Sequence, residues 1–113
     1  MSVNKAILVG NLGKDPELRY TPQGTAVCTF SIATTEKRKD KDPETTWHNI
    51  VVWANLAEIC GKYLTKGKQV YIEGRIQTRD WEDKEGVKRY SWEINGDNFV
   101  FIDGKREEVK EEE

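Results

Sequence analysis

The sequence predicts an all-β domain with one short helix. Three observations carry this reading. Five stretches alternate apolar and polar residues with period two, as half-buried strands do. A single stretch, Leu56–Leu64, carries helical spacing instead. Turn-forming clusters separate the stretches.

The first strand is expected at about Asn4–Asn11, resuming after "GKDP" at Leu18–Thr21. "TPQG" (Thr21–Gly24) is a turn, with proline followed two residues later by glycine. The second strand, about Thr25–Thr35, alternates Ala26, Cys28, Phe30 and Ile32 against Val27, Thr29 and Ser31. "EKRKDKDPE" (Glu36–Glu44) holds no apolar residue and reads as a solvated, mobile loop. The third strand is about Thr46–Ala54. The period then changes: Leu56, Ile59, Cys60, Tyr63 and Leu64 share one helix face. Asn55 is the expected N-cap, with Glu58 completing a capping-box pair, and Gly67 ends the following turn. The fourth strand, about Gln69–Glu82, sets Val70, Ile72, Gly74, Ile76 and Thr78 on one face. Tyr71, Glu73, Arg75, Gln77, Arg79 and Trp81 form the other. "DKEG" (Asp83–Gly86) is a hairpin loop. The fifth strand is about Val87–Ile94, extended by "NFVFID" after a break at "NGD". With the helix between strands 3 and 4, this order is that of a five-stranded Greek-key barrel, the OB-fold.

A chain of 113 residues fits one such domain. Residues 1–104 are expected to form the barrel and 105–113 an acidic, disordered tail. At 36% hydrophobic and 34% charged residues the chain is polar but still globular. No apolar run approaches the roughly 20 residues of a membrane span. The apolar run in "MSVNKAILVGNLG" is too short for a signal peptide, so a cytoplasmic location is expected. Cys28 and Cys60 lie in apolar contexts with no CxxC partner and read as small buried hydrophobes rather than a disulfide or metal pair. Of the 18 basic and 20 acidic residues, three and five fall in 105–113, leaving 15 of each in the body. A protein gripping duplex DNA through its phosphates is usually more basic. Either the chain is not of that kind or it segregates its charges by face.

The stretch "TTWHNIVVWANLAE" holds two of the four tryptophans, six residues apart. That spacing puts Trp47 and Trp53 on the same face of a strand, with Asn49 and Val51. The opposite face, His48, Ile50, Val52 and Ala54, reads as core. On the fourth strand Trp81 likewise shares its face with Arg75, Gln77 and Arg79, opposite an aliphatic set. Two strands thus pair an aliphatic inner face with a polar-aromatic outer one. Rings beside cations suit stacking on bases, which every single strand exposes and a duplex hides. Each tryptophan could also be partly core, and Arg75 and Arg79 could serve solubility or pair with Glu73 and Glu93. Trp92 reads as core or interface packing. "KRK" (Lys37–Lys39) is flanked by Glu36 and Asp40 and reads as solvated loop. His48, the one histidine, reads as a packed or interface group. "GNLG" lacks the length and the lysine of a phosphate loop. With no metal-ligand set and no nucleophile beside a base, neither an enzyme nor a cofactor is expected.

The segments "ILVGNLGKDPE", "WHNIVVW", "YLTKG" and "VYIEGRIQTRDW" closely resemble the bacterial single-stranded DNA-binding protein family, over about Val3 to Ile102. The resemblance implies an OB-fold that assembles as a homotetramer. It implies binding of single-stranded DNA with little sequence preference, and protection of it in replication, recombination and repair, on the nucleoid. It places stacking at Trp47, Trp53 (where phenylalanine is common) and Trp81. Arg38 falls where some members carry a further stacking tryptophan. Lys5, Arg19, Lys66 and Arg79 match backbone-contacting cations. His48 and the strand segment Asn4, Lys5, Ala6 and Ile7 match subunit-interface positions. The family's long tail, with an acidic tip ending in phenylalanine, does not appear in "KREEVKEEE", so recruitment of replication and repair proteins is expected only from a longer native tail. A second reading is an OB-fold that binds a protein or structured RNA, distinguished by substrate preference.

Overall fold

A computed structural model describes residues 1–101 and 107–110. Within them the chain forms β1 (Ala6–Leu12), β2 (Glu17–Tyr20), β3 (Ala26–Glu36), β4 (Glu44–Trp53), α1 (Ala54–Tyr63), β5 (Gln69–Glu82), β6 (Lys88–Phe101) and β7 (Glu107–Lys110). Strand β1 runs antiparallel to β5 from Ala6↔Gly74 to Asn11↔Gln69. At its end it turns onto β3, through Asn11↔Ala33 and Leu12↔Ile32. β3 pairs with β4, β4 meets β6 in parallel at Ile50↔Ile94 and Val51↔Asn95, and β6 pairs with β5. The path closes, so β1, β3, β4, β5 and β6 make the five-stranded barrel of an OB-fold, with the helix between β4 and β5.

The alternation read from the sequence fills the interior. Ala26, Cys28, Phe30 and Ile32 of β3 meet Ile50 and Val52 of β4, Val70 and Ile72 of β5, and Ile94 of β6. Leu56, Ala57 and Cys60 of α1, with Leu64 just beyond it, join the same cluster. Burying each larger aliphatic contributes about 1.5–3 kcal/mol. Both cysteines are buried and unbridged.

Several details differ from the sequence reading. The segment after "GKDP" is a separate strand, β2, paired with β3 from Glu17↔Thr29 to Tyr20↔Ala26. Asn55 is not the N-cap. Pairing of β4 with β3 persists to Val27↔Trp53, so the chain enters the helix directly from the strand. Trp53 is the N-cap residue, without a side-chain cap bond. Ala54 takes the turn with φ 58° and is exposed, not part of the core face. "NGD" does not break the last strand: the register moves from Gly74↔Gly96 to Glu73↔Asn98, leaving Asp97 as a bulged residue within β6. A bulge bends a strand while keeping the ladder, and Gly74 allows the close approach, since a Cβ there would run into the Asn95 carbonyl. The inner aliphatic face of β5 ends at this bulge. Ile76 and Thr78 are exposed because the β5–β6 hairpin runs on past the barrel to Glu82↔Lys88. Of the segment expected as a disordered tail, 107–110 pair with 98–101 as β7; the remainder of 105–113, and the end of "NFVFID" at 102–103, lie outside the described residues.

Candidate nucleic-acid interface

Strand alternation turns the side chains of Trp47, Asn49, Val51 and Trp53 to the outer face of β4. Trp47 is 57% exposed and Trp53 40%. Val51 is buried beneath the groove that the face carries. Two clefts share this groove. One, about 450 Å³, is lined by Lys14, Arg19, Ser31, Asn49, Arg79 and Glu93 among others. The other, about 400 Å³, is lined by Arg19, Tyr20, Val51, Trp53, Arg79 and Glu93. Their common residues make one surface running from Trp53 past two guanidinium groups to Asn49.

The polar groups are held in defined places. The Ser31 hydroxyl donates to Asn49 Oδ1 at 3.2 Å, across the Ser31↔Asn49 register pair. That bond leaves the Asn49 amide hydrogens for a ligand. Arg19 Nε lies 3.8 Å from Glu17 Oε1, an exposed pair of little energetic weight. Trp47 rests on the loop after β1: a Cβ on Gly13 would stand 2.6 Å from the indole Cζ3. Asp15 Oδ1 accepts from the backbone N–H of Lys66 at 2.8 Å, so the turn bearing Lys66 sits beside the loop bearing Lys14.

Trp81, 45% exposed, stands near the hairpin tip opposite Arg89. The tip is built around Asp83. Its carboxylate accepts from the backbone N–H groups of Val87 at 3.0 Å and Glu85 at 2.9 Å, and from Arg89 Nε at 3.1 Å. The Val87 bond, first among these, holds the Asp83 carboxyl below its ordinary range. Gly86, at φ 78°, supplies the left-handed turn position.

The groove therefore brings together Trp53, Asn49, Arg19 and Arg79, with Trp47 bordering it beside Asn49 in an adjoining cleft. Other expected residues stand apart. Arg38 is ion-paired to Glu44 across the base of the β3–β4 hairpin. Lys5 lies 4.0 Å from Glu73, and Arg75 is exposed on β5; neither lines the groove clefts. Asn4 is tied within the chain, donating to the Ile76 carbonyl at 2.8 Å and accepting from the Ile76 N–H at 2.9 Å. Ile7 is exposed and Ala6 half-buried on β1. His48 is half-buried with Nε2 2.8 Å from Thr34 Oγ1. Trp92, read as core or interface packing, is not core: it is 69% exposed. Lys14, Tyr20, Ser31 and Glu93 also line the groove, and the sequence did not single them out for it. The "GKDP" loop, which carries Lys14, was the available signal. Among the described residues no group of three or more His, Cys, Asp or Glu side chains could hold a metal ion, and no helix is long and apolar enough to cross a membrane.

A closed five-stranded barrel with a polar-aromatic groove across its outer face places the chain among the OB-folds. The sequence matches the Single-strand binding protein family over residues 3–102, and the chain belongs to that family. It is similar to the single-stranded DNA-binding proteins of Neisseria meningitidis serogroup A (strain Z2491) and serogroup B (strain MC58). Each is 48% identical over 111 residues, covering 95% of this chain and 64% of the relative. The chain thus spans just under two thirds of the length of these relatives.

Proposed function

We propose that this protein binds single-stranded DNA with little dependence on sequence and shields it during replication, recombination and repair. The observation that carries the reading is the groove that unites exposed Trp53 with Arg19 and Arg79 and leads to Asn49 and Trp47. Bases stack on the indoles, each stack worth roughly 1–3 kcal/mol without reading sequence. Phosphates follow the cations, Lys14, Arg19 and Arg79 in the groove. Trp81 adds a stacking platform on the projecting hairpin. Family membership supports the same reading.

Assembly of copies belongs to this proposal. Over Ala6–Gly10, β1 is paired on one side by β5 and, among the described residues, by no strand on the other. An open strand edge is a template for pairing, and exposed Ile7 adds an apolar contact. Two-fold pairing there, and a tetramer built from such dimers, is the proposed state, with His48 near a subunit contact. Replication and repair proteins would join through a longer native tail.

The test is a titration with oligo-dT of increasing length, following tryptophan fluorescence, beside a duplex of equal length. Quenching that saturates at a fixed number of nucleotides per subunit, with the duplex inert, is expected. Absence of quenching by the single strand would overturn the reading.

A further inference from the structure

We infer that the cleft between Trp47 and Trp92 is a second base-binding subsite, in which Trp92 stacks on a base of the bound strand. The inference rests on the proposed function and adds a site to it.

The cleft exists because two strands part. β4 and β6 pair only at Ile50↔Ile94 and Val51↔Asn95. Toward their N-terminal sides they diverge, and a space of about 300 Å³ opens between Trp47, His48 and Asn49 on one strand and Trp92 and Glu93 on the other, with Ile76 at its side. Trp92 pairs with Thr78, and Ile76 with Ile94, so Trp92 and Ile76 continue the barrel's inner face beyond the point where the barrel closes. There Trp92 is 69% and Ile76 43% exposed. Large apolar side chains left open in this way mark a contact surface when they adjoin one another.

Three features select a base as the occupant. Trp47 and Trp92 offer aromatic surface from opposite sides of the opening, as stacking requires. Asn49, whose amide is oriented by Ser31, and the Glu93 carboxylate supply a donor and an acceptor for base edges. The lining holds no lysine or arginine, and Glu93 repels phosphate. The adjoining groove has the opposite equipment, with Lys14, Arg19 and Arg79. Asn49 and Glu93 line both spaces. A strand whose phosphates follow the groove can therefore turn a base into the cleft.

The experiment compares wild type, Trp92→Ala and Trp92→Phe in titrations with oligo-dT, with the molecular mass of each measured by sedimentation at the same concentration. The expected result is a loss of at least roughly fivefold in affinity for Trp92→Ala, its recovery in Trp92→Phe, and an unchanged mass. Unchanged affinity in Trp92→Ala overturns the inference, and so does a changed mass, which would make the cleft a contact between copies. In wild-type protein, oligo-dT carrying 5-iododeoxyuridine should form a photoadduct on the peptide containing Trp92. An adduct at Trp53 without one at Trp92 overturns the inference independently of how the variants fold. Failure of wild type to bind oligo-dT at all would instead remove the proposed function itself.

Discussion

At the scale of single residues, exposure separates the proposed stacking surface from the core among the aromatics. Trp53 projects from β4 at a point where the core beneath is already filled by Ile50 and Val52. Trp53→Ala should leave the fold intact and weaken single-strand binding by roughly 1–3 kcal/mol, read from circular dichroism and fluorescence titration together. Trp47 differs because Gly13 positions it. A methyl group at Gly13 would press on the indole at 2.6 Å from Cζ3. Gly13→Ala should weaken binding when Trp47 is present and have no further effect in a Trp47→Ala background, a coupling that a double-mutant cycle measures. The cysteines make a prediction about pH. Burial pushes the Cys28 thiol from 9.0 up to about 11, and Cys60 higher still. The folded state thus favours the neutral thiol while the unfolded chain ionises earlier. The contribution is whole below pH 9 and is lost as pH rises toward 11. Melts of wild type should lose stability across that window more steeply than those of Cys28→Ala, and neither thiol should react with an alkylating agent at pH 8 without unfolding. Equal pH profiles would mean that Cys28 is not shielded as described.

At the scale of elements, the β5–β6 hairpin is the part that projects past the barrel. It extends beyond the core, and its tip depends on one carboxylate that binds two backbone N–H groups and Arg89. Because the Asp83 pKa is lowered, the ordering of the tip is present above the ordinary carboxylate range and fades as pH falls through the lowered value. Asp83→Ala should speed amide exchange at Glu85 and Val87 and lower affinity through Trp81, with little change in the melting temperature. Slow exchange in that variant would show that Gly86 alone fixes the turn. The strands themselves were legible because alternation reports which face is buried: β3 and β5 were located almost to the residue. What alternation cannot report is where a face stops being covered. Val70, Ile72 and Ile76 have one pattern, yet Ile76 lies past the barrel's end. The same limit hid the exposure of Trp92, whose face is core at Ile94 and open two residues earlier. The direct passage from Trp53 into α1 was hidden because a good cap residue, Asn55, stood nearby while the β3–β4 ladder set the start of the helix. The groove was legible in its aromatics and its arginines on β2 and β5. The place of Glu93 in it was not, since closure of β6 against β4 is a contact remote in sequence.

At the scale of the whole molecule, charge decides how binding responds to salt. The body of residues 1–104 is balanced, with 15 basic and 15 acidic side chains. That balance left open whether cations gather on one face. They do not do so strongly: the larger groove cleft holds Lys14, Arg19 and Arg79 together with Asp15, Glu17 and Glu93. Three phosphates neutralised by these cations, with release of the counterions they held, give a slope of log K against log salt of only about −2 per groove, at roughly 0.7 per phosphate on a single strand. On the proposed reading, stacking, which salt hardly touches, would then supply most of the affinity. Titrations with oligo-dT between low and moderate salt should give that shallow slope for a strand spanning one groove. Arg19→Ala and Arg79→Ala should each flatten it by about 0.7, whereas Trp53→Ala should lower the affinity equally at every salt concentration. A slope much steeper than −2 that survives both arginine changes would place the phosphate contacts outside the groove, on Lys5, Lys66, Arg75 and the Lys37–Lys39 loop, and the path of the strand would have to be redrawn across those residues.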